Sequence, residues 1–152
     1  GREADPPGPG AGAPGAFAAA RPNGPAHAVT LPADAPLMTA HEVRALVAQV
    51  LTTDSQRVTL VPNREGEGTN AILATPPDAF EPSFGPGSLL RHRSLAAERG
   101  LPCNVIELPG IAMDVDDPSD LMRLMAAKGN DPRYAFLHAH SANTFKAIVQ
   151  GP

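Results

Sequence analysis

The sequence predicts an α/β fold, a mostly parallel sheet flanked by helices. Three observations carry this reading. Short segments that read as strands recur at 27–31, 57–61, 70–74 and 104–108. Segments with helical spacing fall among them, near 40–51, 88–99 and from 118 onward. A chain of 152 residues that is 42% hydrophobic can bury one real core.

The elements follow in order. Residues 1–26 are dominated by Ala, Gly and Pro, which oppose both ladder bonds and cheap ordering, so a partly disordered segment is expected. Residues 16–20 suggest the remains of a short helix. His-Ala-Val-Thr-Leu at 27–31 reads as a short buried strand ending in Pro32-Ala33-Asp34. Thr39-Ala40-His41-Glu42 is a capping-box pattern. Val43, Leu46, Val47, Val50 and Leu51 behind it follow helical spacing. Strands over 57–61 and 70–74 come next. A helix over 88–99 is stopped by Gly100. A fourth strand covers 104–108. Asp117 caps a last helix with Pro118 at its first position and Leu121, Leu124 and Met125 on one face. Residues 27–129 are read as the domain and 130–152 as a C-terminal tail, with a helix possible over 143–150.

Composition narrows the function. Aromatics are 4%, with no Trp and one Tyr, and net charge is −4 with no Lys/Arg run. Base stacking and phosphate-backbone binding are poorly supplied, which argues against nucleic acid and anionic membrane as partners. No apolar run reaches membrane-spanning length, and Pro and Gly interrupt the N-terminus where a signal peptide needs a continuous apolar stretch. The single Cys103 has no partner for an internal disulfide. A cytoplasmic protein is expected. Cys103 reads as packing, and His138 and His140 lack the partners of a zinc site.

Chemistry concentrates between 66 and 121. Gly-Glu-Gly-Thr-Asn-Ala-Ile-Leu at 66–73 offers the Thr69 hydroxyl and the Asn70 amide on a glycine-freed backbone. Phe-Gly-Pro-Gly-Ser at 84–88 is a glycine loop entering a helix, which favours anions through Gly85 and both the N–H and hydroxyl of Ser88. Leu-Pro-Gly-Ile-Ala-Met-Asp-Val-Asp-Asp-Pro-Ser-Asp-Leu at 108–121 sets Asp114 and Asp116 two apart, on one side of an extended chain. A hydroxyl, an anion nest and paired carboxylates are what a magnesium-dependent phosphate-transfer site needs. Asp34 sits just past one strand, where α/β folds place ligands. Asp117 reads as a helix cap and Asp120 as compensation of the helix dipole. His92 shares a helix face with Ser88, and both a phosphate contact and a surface position stay open.

These residues resemble the 2-phospho-L-lactate guanylyltransferase family (CofC, also called FbiD) of coenzyme F420 biosynthesis. The landmarks are Leu-Pro-Ala-Asp-Ala-Pro-Leu at 31–37, Gly-Thr-Asn-Ala at 68–71, Phe-Gly-Pro-Gly-Ser at 84–88 with His92 following, and Pro-Gly-Ile-Ala-Met-Asp-Val-Asp-Asp-Pro at 109–118. The resemblance implies a Rossmann-like nucleotidyltransferase fold. It implies transfer of GMP from GTP, with magnesium, to 2-phospho-L-lactate, phosphoenolpyruvate or 3-phospho-D-glycerate, releasing pyrophosphate. Asp34, Asp114 and Asp116 would be the catalytic, metal-binding carboxylates. Thr69, Gly85 and Ser88 would hold the acceptor, with Asn70 beside them. Nothing here matches the family's first strand and its glycine- and lysine-containing loop around the GTP phosphates. The expectation is therefore an N-terminally truncated domain with weak or no turnover alone. A homodimer, a complementing chain, and a non-catalytic relic that binds a small phosphorylated acid are the companion readings.

Overall fold

A computed structural model describes residues 27–50, 55–79, 81–128 and 130–137. Four strands form one sheet in the order β1-β3-β2-β4. They are β1 (Ala28–Thr30), β2 (Arg57–Pro62), β3 (Thr69–Thr75) and β4 (Cys103–Val105). Helices α1 (Ala40–Val47), α2 (Ser88–Glu98) and α3 (Pro118–Lys128) complete the frame. The expected helix over 143–150, the segment at 16–20, and His138 and His140 lie outside the described residues.

The expectation of a mostly parallel sheet needs correction. β2 and β4 pair in parallel, but β3 runs antiparallel to both β1 and β2. Strands β1, β2 and β4 thus share one direction, and the reversed β3 lies between two of them. The cause is local. Residues 63–68 turn the chain directly from β2 into β3, too few for the crossover a parallel pair requires. The Asn63 carboxamide oxygen accepts the N–H groups of Glu67 (3.0 Å) and Gly68 (2.8 Å), and Gly66 takes φ +74°.

Both sheet faces are covered, so β2 and β3 are buried almost throughout. On one face Val58, Leu60, Ile72 and Ala74 pack with Ala96 of α2 and Leu101. On the other, Val61, Ala71 and Leu73 pack with Leu46, Val50, Leu108 and Ile111. The buried line of α1 and its 3₁₀ extension is Glu42–Leu46–Val50, while Val47 is 39% exposed. The expected stripe is therefore rotated slightly. Strand β1 is not the buried strand expected, since Val29 and Leu31 are 41% and 37% exposed. It has a neighbour only in β3 among the described residues.

Candidate active site

The shared direction of β1, β2 and β4 brings their carboxyl ends to one end of the sheet, and the reversed β3 begins there. A cleft of about 600 Å³ opens at this end. Asp34 follows β1, the 63–68 turn follows β2, Thr69 and Asn70 begin β3, and Asp114 and Asp116 follow β4. Phe84, Gly85, Pro86 and Ser88 close the cleft from the α2 side. Asp34, Thr69, Asn70, Gly85, Ser88, Asp114 and Asp116, all singled out from sequence for the site, line this one cleft.

One wall of the cleft is built from two hydroxyls. Ser88 and Thr69 are 1% and 6% exposed. The Thr69 N–H donates to Ser88 Oγ at 2.9 Å, joining β3 to α2. Behind them stands His92, fully buried, with Nδ1 3.0 Å from Thr69 Oγ1. The Ser83 N–H donates to His92 Nε2 at 2.8 Å, and the Phe84 ring meets the imidazole edge-on. Ser88, His92 and Ala96 are the buried line of α2, four residues apart, and the first two are polar because they reach the cleft end of the sheet. The ring is neither a surface group nor placed among the residues lining the cleft. Burial, then the Arg91 charge, push its pKa down to about 4.

The glycine loop differs from expectation in one respect. Gly85 and Gly87 adopt φ +106° and +68°, and Gly87 is the N-cap of α2. The Ser88 N–H, expected to face an anion, donates instead to Gly85 O at 3.0 Å, and the Leu89 N–H donates to Glu67 O. Helix winding after two left-handed glycines turns those donors inward. Arg91 braces the loop by donating to the carbonyls of Ser83, Phe84 and Pro86. Ser88 therefore offers the cleft its hydroxyl rather than its N–H.

The carboxylate wall is a tied loop. The Val115 N–H donates to Asp34 O at 3.1 Å, which sets Asp34 against the 114–116 segment. Asp114 first, then partial burial and Asp34, hold the Asp116 pKa above the usual carboxylate value. Among the described residues no Lys or Arg pairs with Asp34, Asp114 or Asp116. Neither is any group of three His, Cys, Asp or Glu residues already arranged to hold a metal ion. The carboxylates converge enough to repel one another without forming a closed metal cage. That donor set suits magnesium, which takes one or two protein carboxylates and completes its shell with water and phosphate oxygens.

The same loop is anchored from four sides. Asn70 Nδ2 donates to Ile111 O at 3.0 Å, tying the start of β3 to the loop, while Asn70 also lines the cleft. The Arg64 N–H donates to Ala112 O. Ile111 is fully buried between sheet and α1; burying such a side chain contributes about 1.5–3 kcal/mol. Asp117 Oδ1 accepts the N–H groups of Ser119 and Asp120, as a cap should.

The profile of the family described as "Guanylyl transferase CofC like" matches residues 17–143. The chain belongs to this family. Similar proteins include the phosphoenolpyruvate guanylyltransferase of Conexibacter woesei, 42% identical over 67% of this chain and 45% of the relative. The protein of the same name from Sphaerobacter thermophilus is 46% identical over 60% of this chain and 43% of its own. The 3-phospho-D-glycerate guanylyltransferase of Colwellia psychrerythraea is 50% identical over 36% of this chain and 26% of its own. This CofC-like chain thus spans less than half the length of the curated relatives it matches. No helix among the described residues is long and apolar enough to cross a membrane.

Sequence reasoning missed three supports of this CofC-like cleft. Glu42 completes the expected capping box with Thr39, but its other carboxylate oxygen also accepts the Gly110 N–H. Asp120, read as dipole compensation, is 6% exposed and accepts the Asp116 N–H at 3.3 Å. It also pairs with Arg64 (3.3 Å) and Arg123 (2.9 Å). His92 carries a hydrogen-bonding role hidden from the surface. The one signal available was Glu42 standing on the inward line with Leu46 and Val50.

Proposed function

We propose that this cleft is the acceptor and metal site of a guanylyltransferase that moves GMP from GTP to a phosphorylated three-carbon acid. The observation that carries the reading is the pairing of two walls. Buried hydroxyls of Thr69 and Ser88 face the cleft on one side, and Asp34, Asp114 and Asp116, without a cationic partner among the described residues, face it on the other. Phosphoenolpyruvate is the first candidate acceptor, because that name belongs to the relatives matched over 108, 102 and 101 residues. 3-Phospho-D-glycerate and 2-phospho-L-lactate follow. The family resemblance extends the proposal to coenzyme F420 biosynthesis in the cytoplasm, and to a second copy or a complementing chain as partner.

In this scheme an oxygen of the acceptor phosphate attacks the α-phosphorus of GTP. The bond to the β-phosphate oxygen breaks, and pyrophosphate leaves with the electron pair. The acceptor phosphate is already anionic at neutral pH, so no strong base is required. Thr69 and Ser88 orient the acceptor by hydrogen bonds. Asp34, Asp114 and Asp116 would hold magnesium, which supplies charge neutralisation between the two anions. Asn70 keeps the carboxylate loop in place through Ile111.

Pyrophosphate release from GTP with magnesium, measured with each acid separately, tests the proposal. Release with one acid, even if weak, that is lost in Asp116→Ala supports the proposal. Binding of an acid without any release favours the non-catalytic reading.

A further inference from the structure

The hydrogen bonds around His92 fix which way the Thr69 hydroxyl points. A neutral imidazole has one donor and one acceptor nitrogen. Nε2 accepts the Ser83 N–H, so it carries no proton. Nδ1 therefore carries the proton, and it donates to Thr69 Oγ1 at 3.0 Å. Burial beside Arg91 keeps the ring neutral at physiological pH. One lone pair of Thr69 Oγ1 is thus occupied from behind. Among the described residues no protein acceptor takes the Thr69 hydroxyl hydrogen.

Ser88 is arranged in the same sense. Its Oγ accepts the Thr69 N–H, and its own hydrogen has no protein acceptor among the described residues. Two nearly buried hydroxyls beside one cleft are thus each loaded on the acceptor side. A buried donor without an acceptor is costly, so such hydrogens are made for a ligand.

We propose that His92 is a positioning residue that turns Thr69 into a fixed hydrogen-bond donor toward the anionic group of the acceptor acid. It acts through Thr69 and does not touch the acid. The consequence is selectivity for a group that only accepts hydrogen bonds, a phosphate or carboxylate oxygen, over one that also donates. The inference rests on the acceptor reading of the cleft, and the experiment separates the two.

Phosphoenolpyruvate binding to the full chain with magnesium is measured by calorimetry for wild type, His92→Phe, His92→Asn, Thr69→Val and the Thr69→Val/His92→Phe double variant. Thr69→Val and His92→Phe should each weaken binding by about tenfold or more. His92→Asn, which keeps a donor near the Nδ1 position, should recover most of that loss. The double variant should bind no more weakly than Thr69→Val alone. Losses that multiply would show His92 to be ordinary packing and overturn the inference while leaving the acceptor site intact. Wild type that binds none of phosphoenolpyruvate, 3-phospho-D-glycerate or inorganic phosphate would overturn the acceptor reading itself. Nitrogen-15 NMR of the wild-type ring needs no variant to fold. It should show the Nδ1–H tautomer, and an Nε2–H ring would sink the inference directly.

Discussion

The Glu42 carboxylate accepts the N–H of Gly110, 68 residues further along the chain. The same side chain closes the capping box of α1 through the Thr39 N–H and hydroxyl, each at 2.9 Å. One buried carboxylate therefore fixes both the start of a helix and the start of the loop that carries Asp114 and Asp116. Burial alone would raise its pKa, but the donated hydrogen bonds from Gly110 and Thr39 outweigh that and hold it lower. Helix α1 sits on one face of the sheet, and the loop rounds its end. Glu42 is the fastener between them.

Gly110 admits no side chain at this fastening. A Cβ there would lie 2.3 Å from Glu42 Oε2 and 2.4 Å from the Leu37 carbonyl oxygen. The Leu37 oxygen is backbone and cannot swing away. Gly110→Ala is expected to destabilise the chain by about 1–3 kcal/mol, as overpacking does. Urea unfolding measures this. A variant as stable as wild type would show that the loop is free to shift without cost.

Asp120 makes the matching fastening at the other end of the loop. It holds the Asp116 N–H while paired with Arg64 and Arg123. Asp120→Ala should cost about 1–3 kcal/mol, because it strands a backbone donor and frees two cations from a nearly buried partner. Arg123→Ala should cost under about 1 kcal/mol, since Arg123 is 50% exposed and its contribution is screened. Thermal melts of the two variants compare them. Equal losses would mean that the Asp116 N–H contact carries nothing.

What the sequence revealed and what it hid follow from the range of each interaction. The capping box at Thr39 and Glu42, the Asp117 cap and the Gly100 stop are formed by residues a few positions apart, and all were readable. Strand direction was not. Strands that alternate with helical segments along the chain argue for parallel neighbours, and the run 70–74 carries nothing that states its direction. Here both faces are covered, by α1 and α2, yet the 63–68 turn reverses the chain. The cleft residues were readable because each segment carries its own chemical bias. Their fasteners were not, because Glu42–Gly110, Asp120–Arg64 and His92–Ser83 join residues that only the fold brings together. His92 was ambiguous from spacing and is resolved only by the two groups on its ring nitrogens.

The buried neutral ring of His92 makes stability depend on acid pH. Its pKa falls from the ordinary 6.5 to about 4 on folding. The unfolded chain therefore takes up this proton first. Its contribution to stability is full above about pH 6.5 and is lost progressively as pH falls to about 4. Melting temperatures from pH 7 to pH 4 should drop more in wild type than in His92→Asn, which has nothing to protonate. Parallel curves would place the acid sensitivity elsewhere.

Asp116 carries the opposite sign. Its pKa is raised in the folded chain, chiefly by Asp114 and then by partial burial and Asp34. A raised carboxylate pKa means that the group favours folding below its ordinary titration range, and that this advantage is lost as pH rises through the folded value. At pH 7 the ionised Asp116 carboxylate opposes the fold. Asp116→Asn should therefore stabilise the metal-free chain slightly, by about 0.5 kcal/mol after solvent screening. Magnesium should reverse the order. Added cation should raise the melting temperature of wild type through its preference for the folded site, and leave Asp116→Asn nearly unchanged. The crossing of the two melting temperatures with added magnesium is the readout. If Asp116→Asn is less stable than wild type without magnesium, the strain between these carboxylates is not what keeps the site open for a cation.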